Sequence, residues 1–310
     1  MFSRRIAMAV LAAMLMSALT VAPAAAAKPT KPPAQPPPTG ERPLTPEEEA
    51  ASARKIAAAN AYLASAEAQE AELVSLACVT PTSTGAEVAT GGEVMGGVAT
   101  DSETDTTTQA CYTPQGFVTV HARDQTAGHY CGPAVGQVIA NYSWALDSAW
   151  NKYTQGRIAG WMSTDYYGQT DALRLEVGLE KATAGSPRRP ANWNWIVSNL
   201  RDLNGNGGTG DELHSYLRSN VSGSRMPMAI PVKPHAAASI YNLSSWPNPV
   251  NSVGHWIAAY GWVGLYTGTH YARLYFTDSS RDEGGSTGKF YNSVLSVAIM
   301  VGQHTGRFVW

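Results

Sequence analysis

Cys131 stands at the start of a segment whose residue spacing predicts a buried helix, a position that favours nucleophilic chemistry. The run Gln125-Thr-Ala-Gly-His-Tyr-Cys131-Gly-Pro-Ala134 leads into apolar residues at i, i+3, i+4 and i+7, namely Val135, Val138, Ile139 and Tyr142. Pro133 suits the first helical turn, where its missing N–H breaks no hydrogen bond. Because a helix N-terminus favours a thiolate over a thiol, Cys131 is a candidate nucleophile for acyl transfer.

The number of cysteines bears on the state of this thiol. The chain has three, Cys78, Cys111 and Cys131, so one stays unpaired unless it bonds to another chain. Cys78 and Cys111 bracket a segment rich in Thr, Ser and Gly, and a disulfide closing that loop would contribute about 3–4 kcal/mol if unstrained. Cys131 is then the free thiol. The alternatives are that Cys131 is an inert buried thiol or that it pairs with Cys111.

A carboxylate and an imidazole that could serve this thiol come from the last part of the chain. Residues 254–262 and 271–278 are both rich in aromatic and branched residues, which predicts two strands. If they form an antiparallel hairpin centred near Tyr266 and Thr267, His255 lies directly opposite Asp278. The carboxylate would orient the imidazole and stabilise its protonated form, and the imidazolium would in turn lower the thiol pKa. We therefore expect Cys131, His255 and Asp278 to be nucleophile, base and orienting residue.

Other residues compete with or add to this set. His129 is close to Cys131 in sequence but has no carboxylate obviously placed to orient it, while His235 and His270 are weaker candidates for the base. Gln125, six residues before Cys131, could point its amide N–H at a developing oxyanion beside a backbone N–H near the nucleophile.

Residues 1–27 have the features of a secretory signal peptide. A basic start at Arg4 and Arg5 precedes an apolar run, and the alanines at 24–27 offer a cleavage site. The apolar run is shorter than the roughly 20 residues that a membrane span requires. We therefore expect a secreted, extracellular protein without a stable membrane span after cleavage, in a compartment where disulfides persist.

Residues 28–115 are predicted to form an extension that precedes the main domain. It comprises a Pro-rich linker, a helix rich in Ala and Glu, and the loop between the two bridged cysteines. Thr45 opens the helix, and Glu48 three residues later completes a capping box. Two interpretations of this helix stay open. It is either a solvated spacer that docks lightly on the main domain, or an inhibitory pro-segment lying across the cleft.

The main domain is expected over residues 116–310. Helices are predicted after Cys131 and at about 171–183, 193–202 and 210–219, and strands at 115–120, 228–232, 255–262, 272–278 and 294–300. Helices come first and strands cluster late, which indicates an α+β fold and not alternating βαβ units. The formal net charge is −2 and no basic patch appears, so nucleic acid is not an expected partner.

Taken together, the motifs resemble the C39-like peptidases of the papain-like cysteine protease clan. The resemblance rests on Gln125-x5-Cys131-Gly-Pro-Ala, Gly254-His255-Trp-Ile and Phe276-Thr-Asp278, with support from the segment 153–168, and covers about residues 117–300. It implies a papain-like fold, in which a helix carrying the nucleophile packs on an antiparallel sheet carrying His and Asp. It also implies Gln125 as oxyanion residue, Cys131 as nucleophile, His255 as base and Asp278 as orienting residue.

The expected activity is thiol-protease hydrolysis of a peptide or protein substrate. No organic cofactor is implied, and no metal, because a calcium-loop-like start at Asp202 has Leu213 where the bidentate Glu should stand. One alternative is a cysteine amidase or acyltransferase acting on cell-wall or related amides. The other is a domain that binds peptides without turning them over.

The first prediction concerns the pairing of the thiols. Because Cys78 and Cys111 bracket the flexible segment, peptide mapping of the secreted protein without reduction should recover them as one linked pair. Cys131 should be recovered as a free, alkylatable thiol. A Cys111–Cys131 bridge in active protein would contradict both the loop assignment and the nucleophile.

Overall fold

The computed structural model describes residues 42–77, 114–164, 170–200, 208–234, 242–246, 254–265, 272–280 and 285–310. These residues form helices and an antiparallel sheet, so the fold is α+β as predicted. The predicted signal peptide and the predicted bridge between Cys78 and Cys111 lie outside the described residues. Within the described part of the chain, no helix has the length and apolar character needed to cross a bilayer.

The described residues contain six α-helices and seven strands. The helices are α1 (Pro46–Ala77), α2 (Cys131–Ser143), α3 (Gln155–Trp161), α4 (Ala172–Thr183), α5 (Gly208–Arg218) and α6 (Val294–His304). The strands are β1 (Gln115–Phe117), β2 (Val197–Asn199), β3 (Met228–Val232), β4 (His255–Val263), β5 (Arg273–Asp278), β6 (Gly288–Ser293) and β7 (Arg307–Val309). A π-helical turn, Ser219–Gly223, follows α5 directly.

The strands form one antiparallel sheet with β4 near its centre. Its order is β2-β7-β3-β4-β5-β6. β3 pairs with the first half of β4, and β1 pairs with residues 261–263 of the second half. Gly261 permits this close approach, because a Cβ built there would lie 2.1 Å from Cδ1 of the Phe117 ring.

Helix α2 is the buried element on which the site is built. Every residue from Gly132 to Ser143 is buried, and the helix packs on β4 and on α4. A helix enclosed on all sides needs partners for its polar side chains. Gln137 donates from Nε2 to the Tyr153 carbonyl at 2.7 Å, and the Asn141 Oδ1 accepts from the Lys152 N–H at 2.9 Å. These bonds attach the loop before α3 to the middle of α2.

Helix α1 begins as the capping-box pattern predicts. The Thr45 N–H donates to Glu48 Oε2 at 2.7 Å, and the Glu48 N–H donates to Thr45 Oγ1 at 3.3 Å. The helix packs on β2, α5 and the π-helical turn, where Ala59 and Leu63 are buried. Helix α1 therefore docks on the main domain, and these contacts do not test whether it is a spacer or a pro-segment.

Two predicted elements are wrong. Residues 294–300, predicted as a strand from their Val and Ile content, belong to α6. Ser293 caps that helix by accepting from the Ser296 N–H, and Val294, Val297, Ala298 and Val301 are buried at helical spacing. Residues 193–202, predicted as a helix, contain β2 instead. Pairing of Val197 with Val309 of β7 overrides the local helical pattern.

The close approach of β1 to β4 makes a prediction about stability. Gly261→Ala should destabilise the protein by about 1–3 kcal/mol, because the new methyl group meets the Phe117 ring, which lies against Tyr275 at 5.1 Å between ring centroids. Gly156→Ala in α3 is the matched control, because nothing lies within 4 Å of its Cβ position, and it should stabilise by about 0.5–1 kcal/mol. Denaturant unfolding of both variants measures the difference. Unchanged stability of Gly261→Ala would contradict the described register.

Candidate active site

The thiol of Cys131 lies at the N-terminus of α2, as the sequence predicts. Cys131 is the first residue of the helix, and it is a free, partly accessible cysteine. The first turn of the helix packs closely against Thr170, because a Cβ built at Gly132 would lie 2.8 Å from the Thr170 side chain. Hydrogen bonding to the His255 ring and to the backbone N–H groups of Trp256 and Gly132 acts to lower the pKa of the Cys131 thiol. These groups would therefore stabilise a thiolate.

His255 and Asp278 meet in the buried interior of the sheet. His255 is the first residue of β4 and Asp278 the last of β5. The His255 Nε2 lies 2.8 Å from Asp278 Oδ1, and both side chains are buried. Since Nε2 is bonded to the carboxylate, Nδ1 is left for the Cys131 sulfur. The structure thus joins thiol, imidazole and carboxylate into one hydrogen-bonded chain.

The strand register that brings them together differs from the predicted one. Ala258 pairs with Thr277, and a β-bulge between Ala259 and Gly261 shifts the pairing beyond it. On this ladder Asp278 is opposite Ile257, so the prediction that His255 lies directly opposite it is wrong. The hairpin turns later in the chain than predicted, which shifts the pairing by three positions at Val263 and Arg273, and the bulge reduces this shift to two at Ala258 and Thr277. Because side chains alternate with period two, an even shift keeps both on one face as diagonal neighbours.

The Asp278 carboxylate has further donors that the sequence did not identify. Its Oδ2 accepts from Ser245 Oγ at 2.5 Å and from Trp246 Nε1 at 2.9 Å, and its Oδ1 accepts from the Ser280 N–H at 2.8 Å. The Trp246 ring also lies 5.1 Å from the His255 ring between centroids. Ser245 and Trp246 belong to a segment far from β5 in sequence, and no motif around them signals this contact.

The electrostatics of the three linked residues favour the ionised forms of Cys131, His255 and Asp278. Burial alone would lower the His255 pKa, but the charge and hydrogen bond of Asp278, together with Cys131, outweigh it and raise that pKa well above its ordinary value. Burial likewise acts to raise the Cys131 pKa, and the hydrogen bond and charge of His255 bring it below its ordinary value. For Asp278, burial is outweighed by the charge of His255, and the pKa is lowered. A thiolate–imidazolium pair is therefore favoured between the Cys131 and His255 pKa values.

Gln125 is attached to the same end of the sheet. Its N–H donates to the Ser279 carbonyl at 3.0 Å, one residue beyond Asp278, and its side-chain Nε2 donates to the Gly128 carbonyl at 3.3 Å. Gln155, which the sequence did not single out, holds this loop: its Nε2 donates to the Asp124 carbonyl at 2.7 Å, and its Oε1 accepts from the Thr126 N–H at 2.8 Å. The oxyanion role of Gln125 stays a prediction.

The His129 ring packs against Tyr130 at 4.6 Å between centroids, while His235 and His270 lie outside the described residues. Within the described ranges, no three His, Cys, Asp or Glu side chains are grouped so that they could hold a metal ion.

No protein-family model matches the chain, and no curated protein matches it significantly.

The electrostatic arrangement makes a prediction about the reactivity of Cys131. Because the ion pair holds the sulfur as a thiolate, alkylation by iodoacetamide should stay fast as the pH falls to about 6, whereas an ordinary thiol of pKa about 8.5 slows tenfold per unit. In His255→Ala the imidazolium is lost, while the burial of Cys131 still acts to raise its pKa. The rate of alkylation at pH 6 should therefore fall at least about tenfold. Mass spectrometry of the Cys131 peptide over time measures the rate.

Gln125→Ala provides the control for this experiment. Gln125 is expected to act on an oxyanion and not on the thiol, so its removal should leave the alkylation profile unchanged. Identical, ordinary thiol profiles in all three proteins would show that Cys131 is a structural cysteine.

Proposed function

We propose that the protein is a secreted cysteine peptidase of the papain-like type, hydrolysing peptide bonds through Cys131, His255 and Asp278. The observation that carries the proposal is the hydrogen-bonded chain from the Cys131 sulfur through the His255 ring to the buried Asp278 carboxylate. A nucleophile, a base and a group that orients the base are the parts that acyl-transfer chemistry requires. The resemblance of the motifs to C39-like peptidases, and the signal-like residues 1–27, support the same assignment.

In the first half of the reaction, the Cys131 thiolate attacks the carbonyl carbon of the scissile peptide bond and forms a tetrahedral oxyanion. Backbone N–H groups in the first turn of α2 have no intrahelical acceptor, and one of them, together with the Gln125 amide, would stabilise this charge. The His255 imidazolium then gives its Nδ1 proton to the leaving nitrogen. The C–N bond breaks, the amine product departs, and a thioester to Cys131 remains.

In the second half, His255 is neutral and acts as the base. It removes a proton from a water molecule, which attacks the thioester carbonyl. The second oxyanion collapses, the acid product leaves, and the thiolate and imidazolium are restored. Asp278 keeps the Nε2–H of His255 directed at its Oδ1 throughout, so that Nδ1 faces the sulfur in both halves.

The proposed activity predicts cleavage of peptides by the mature protein. Incubation with a proteome-derived peptide library, followed by mass spectrometry of the products, should yield new free carboxyl and amino termini. Cys131→Ala should yield none. Products in which the acyl group is transferred to another amine would indicate an acyltransferase, and the absence of any turnover by a correctly folded wild-type protein would contradict the proposal.

Asp278→Asn tests the role of the carboxylate in the same assay. The amide cannot stabilise the imidazolium and can bind the wrong tautomer of His255. In a serine triad this change costs about 10⁴-fold in rate, and we expect a comparable loss here. Thermal unfolding should show that Asp278→Asn still folds. Turnover at the wild-type rate would remove Asp278 from the mechanism.

A further inference from the structure

A surface cavity of about 370 Å³, open to solvent, lies at the end of α2 opposite Cys131. It is lined by Phe117, Val118, Thr119, Tyr142, Arg188 and Arg225. Tyr142 lies near the C-terminus of α2, about 16 Å along the helix from Cys131 at the usual rise per residue. The cavity is therefore separate from the proposed catalytic chain, and no residue of that chain lines it.

Tyr142 contacts both arginines of the cavity, each of which is exposed to solvent. The Arg188 guanidinium lies 4.8 Å from the centroid of the Tyr142 ring, and its Nη1 donates to the Tyr142 carbonyl at 3.3 Å. The Tyr142 hydroxyl donates to the Arg225 carbonyl at 2.5 Å. Arg225 adopts a φ of 57°, in the left-handed region that a non-glycine residue rarely occupies. Both side chains thus start from fixed backbone positions beside one aromatic ring.

The described residues that line the cavity carry a positive charge. No carboxylate is among its lining residues, and within the described part of the chain neither Arg188 nor Arg225 forms an ion pair. Burial raises the pKa of Tyr142, and the charges of Arg188 and Arg225 act in the opposite direction, which indicates that both cations are close to its hydroxyl. The C-terminus of α2 contributes only about half a negative charge, less than either guanidinium.

The walls of the cavity suit an apolar group. The Phe117 ring contacts the Tyr275 and Tyr260 rings at 5.1 Å and 6.3 Å between centroids, so it is held in place, and Val118 is buried beside it. The volume exceeds that of a single inorganic anion and falls at the lower end of the range for small-molecule sites. A guanidinium presents its donors in a fork that matches carboxylate and phosphate oxygens equally well.

We propose that this cavity binds a small organic acid whose carboxylate or phosphate group lies between Arg188 and Arg225 and whose apolar part packs on Phe117 and Tyr142. The simpler interpretation is that Arg188 only caps α2 and that Arg225 only faces solvent. The two interpretations differ in whether a ligand with both an anionic and an apolar part binds saturably at this place.

The test is calorimetric titration of the full chain with phenyl phosphate and with benzoate. Wild-type protein should bind at least one of them saturably, and Arg225→Gln should weaken that binding at least about tenfold. Arg157→Gln, an exposed arginine on α3, is the matched control and should bind like the wild type. Arg225 is the residue to change first. Arg188 also donates a hydrogen bond to the Tyr142 carbonyl at the end of α2, so replacing Arg188 would disturb the helix as well as the cavity.

Three results would overturn the inference. They are no saturable binding of either acid, equal binding by Arg225→Gln, and an affinity for inorganic phosphate equal to that for phenyl phosphate. Preferential binding of phenyl phosphate over benzoate, or the reverse, would identify which acid group the arginines select and would support the inference. Because the cavity is distinct from Cys131, a protein that cleaves peptides but binds neither acid overturns this inference and leaves the proposed function standing.

Discussion

The buried carboxylate of Asp278 is the group on which the rest of the candidate active site depends. A charge placed in the interior is costly unless hydrogen bonds and an opposite charge replace the water it has lost. Asp278 obtains these from His255, Ser245, Trp246 and the Ser280 N–H. The donors come from β4, from residues 242–246 and from the residues that follow β5, so satisfying one carboxylate brings three chain segments together. The same bonds give His255 a single orientation and raise its pKa.

The packing of α2 on β4 places the Cys131 sulfur beside the His255 imidazole. Cys131 opens α2, His255 opens β4, and the packing of α2 on β4 sets the distance between them. The Trp256 side chain secures the neighbouring segment by donating from Nε1 to the Thr170 carbonyl at 2.8 Å. The site therefore lies on buried, regular elements, which suits chemistry that depends on fixed geometry. Of Cys131, His255 and Asp278, only Cys131 is partly accessible to solvent, as attack on a substrate requires.

Local sequence patterns predicted the helix and strands that carry the site residues. The residues that these patterns did not identify reach the site only through tertiary contacts. Helical spacing after Cys131 and the aromatic strands predicted α2, β4 and β5 almost to the residue. The His255–Asp278 pair was predicted on the correct face with the wrong register, because the sequence signals neither the later turn of the hairpin nor the bulge, which together shift the pairing by two positions. Ser245 and Trp246 reach Asp278 only through the fold. Residues 294–300 show that β-branched composition misleads when a Ser cap and helical burial spacing compete with it.

The central claim is that His255 is an imidazolium bonded to both the Cys131 thiolate and Asp278. Nitrogen-15 NMR of the His255 ring across pH 5–9 tests it most directly, because ring shifts distinguish the doubly protonated form from either neutral tautomer. The account predicts a doubly protonated ring at pH 7 in the wild type, and a lower His255 pKa in Cys131→Ala, which lacks the thiolate. A neutral His255 ring at pH 7 in the wild-type protein would contradict the account.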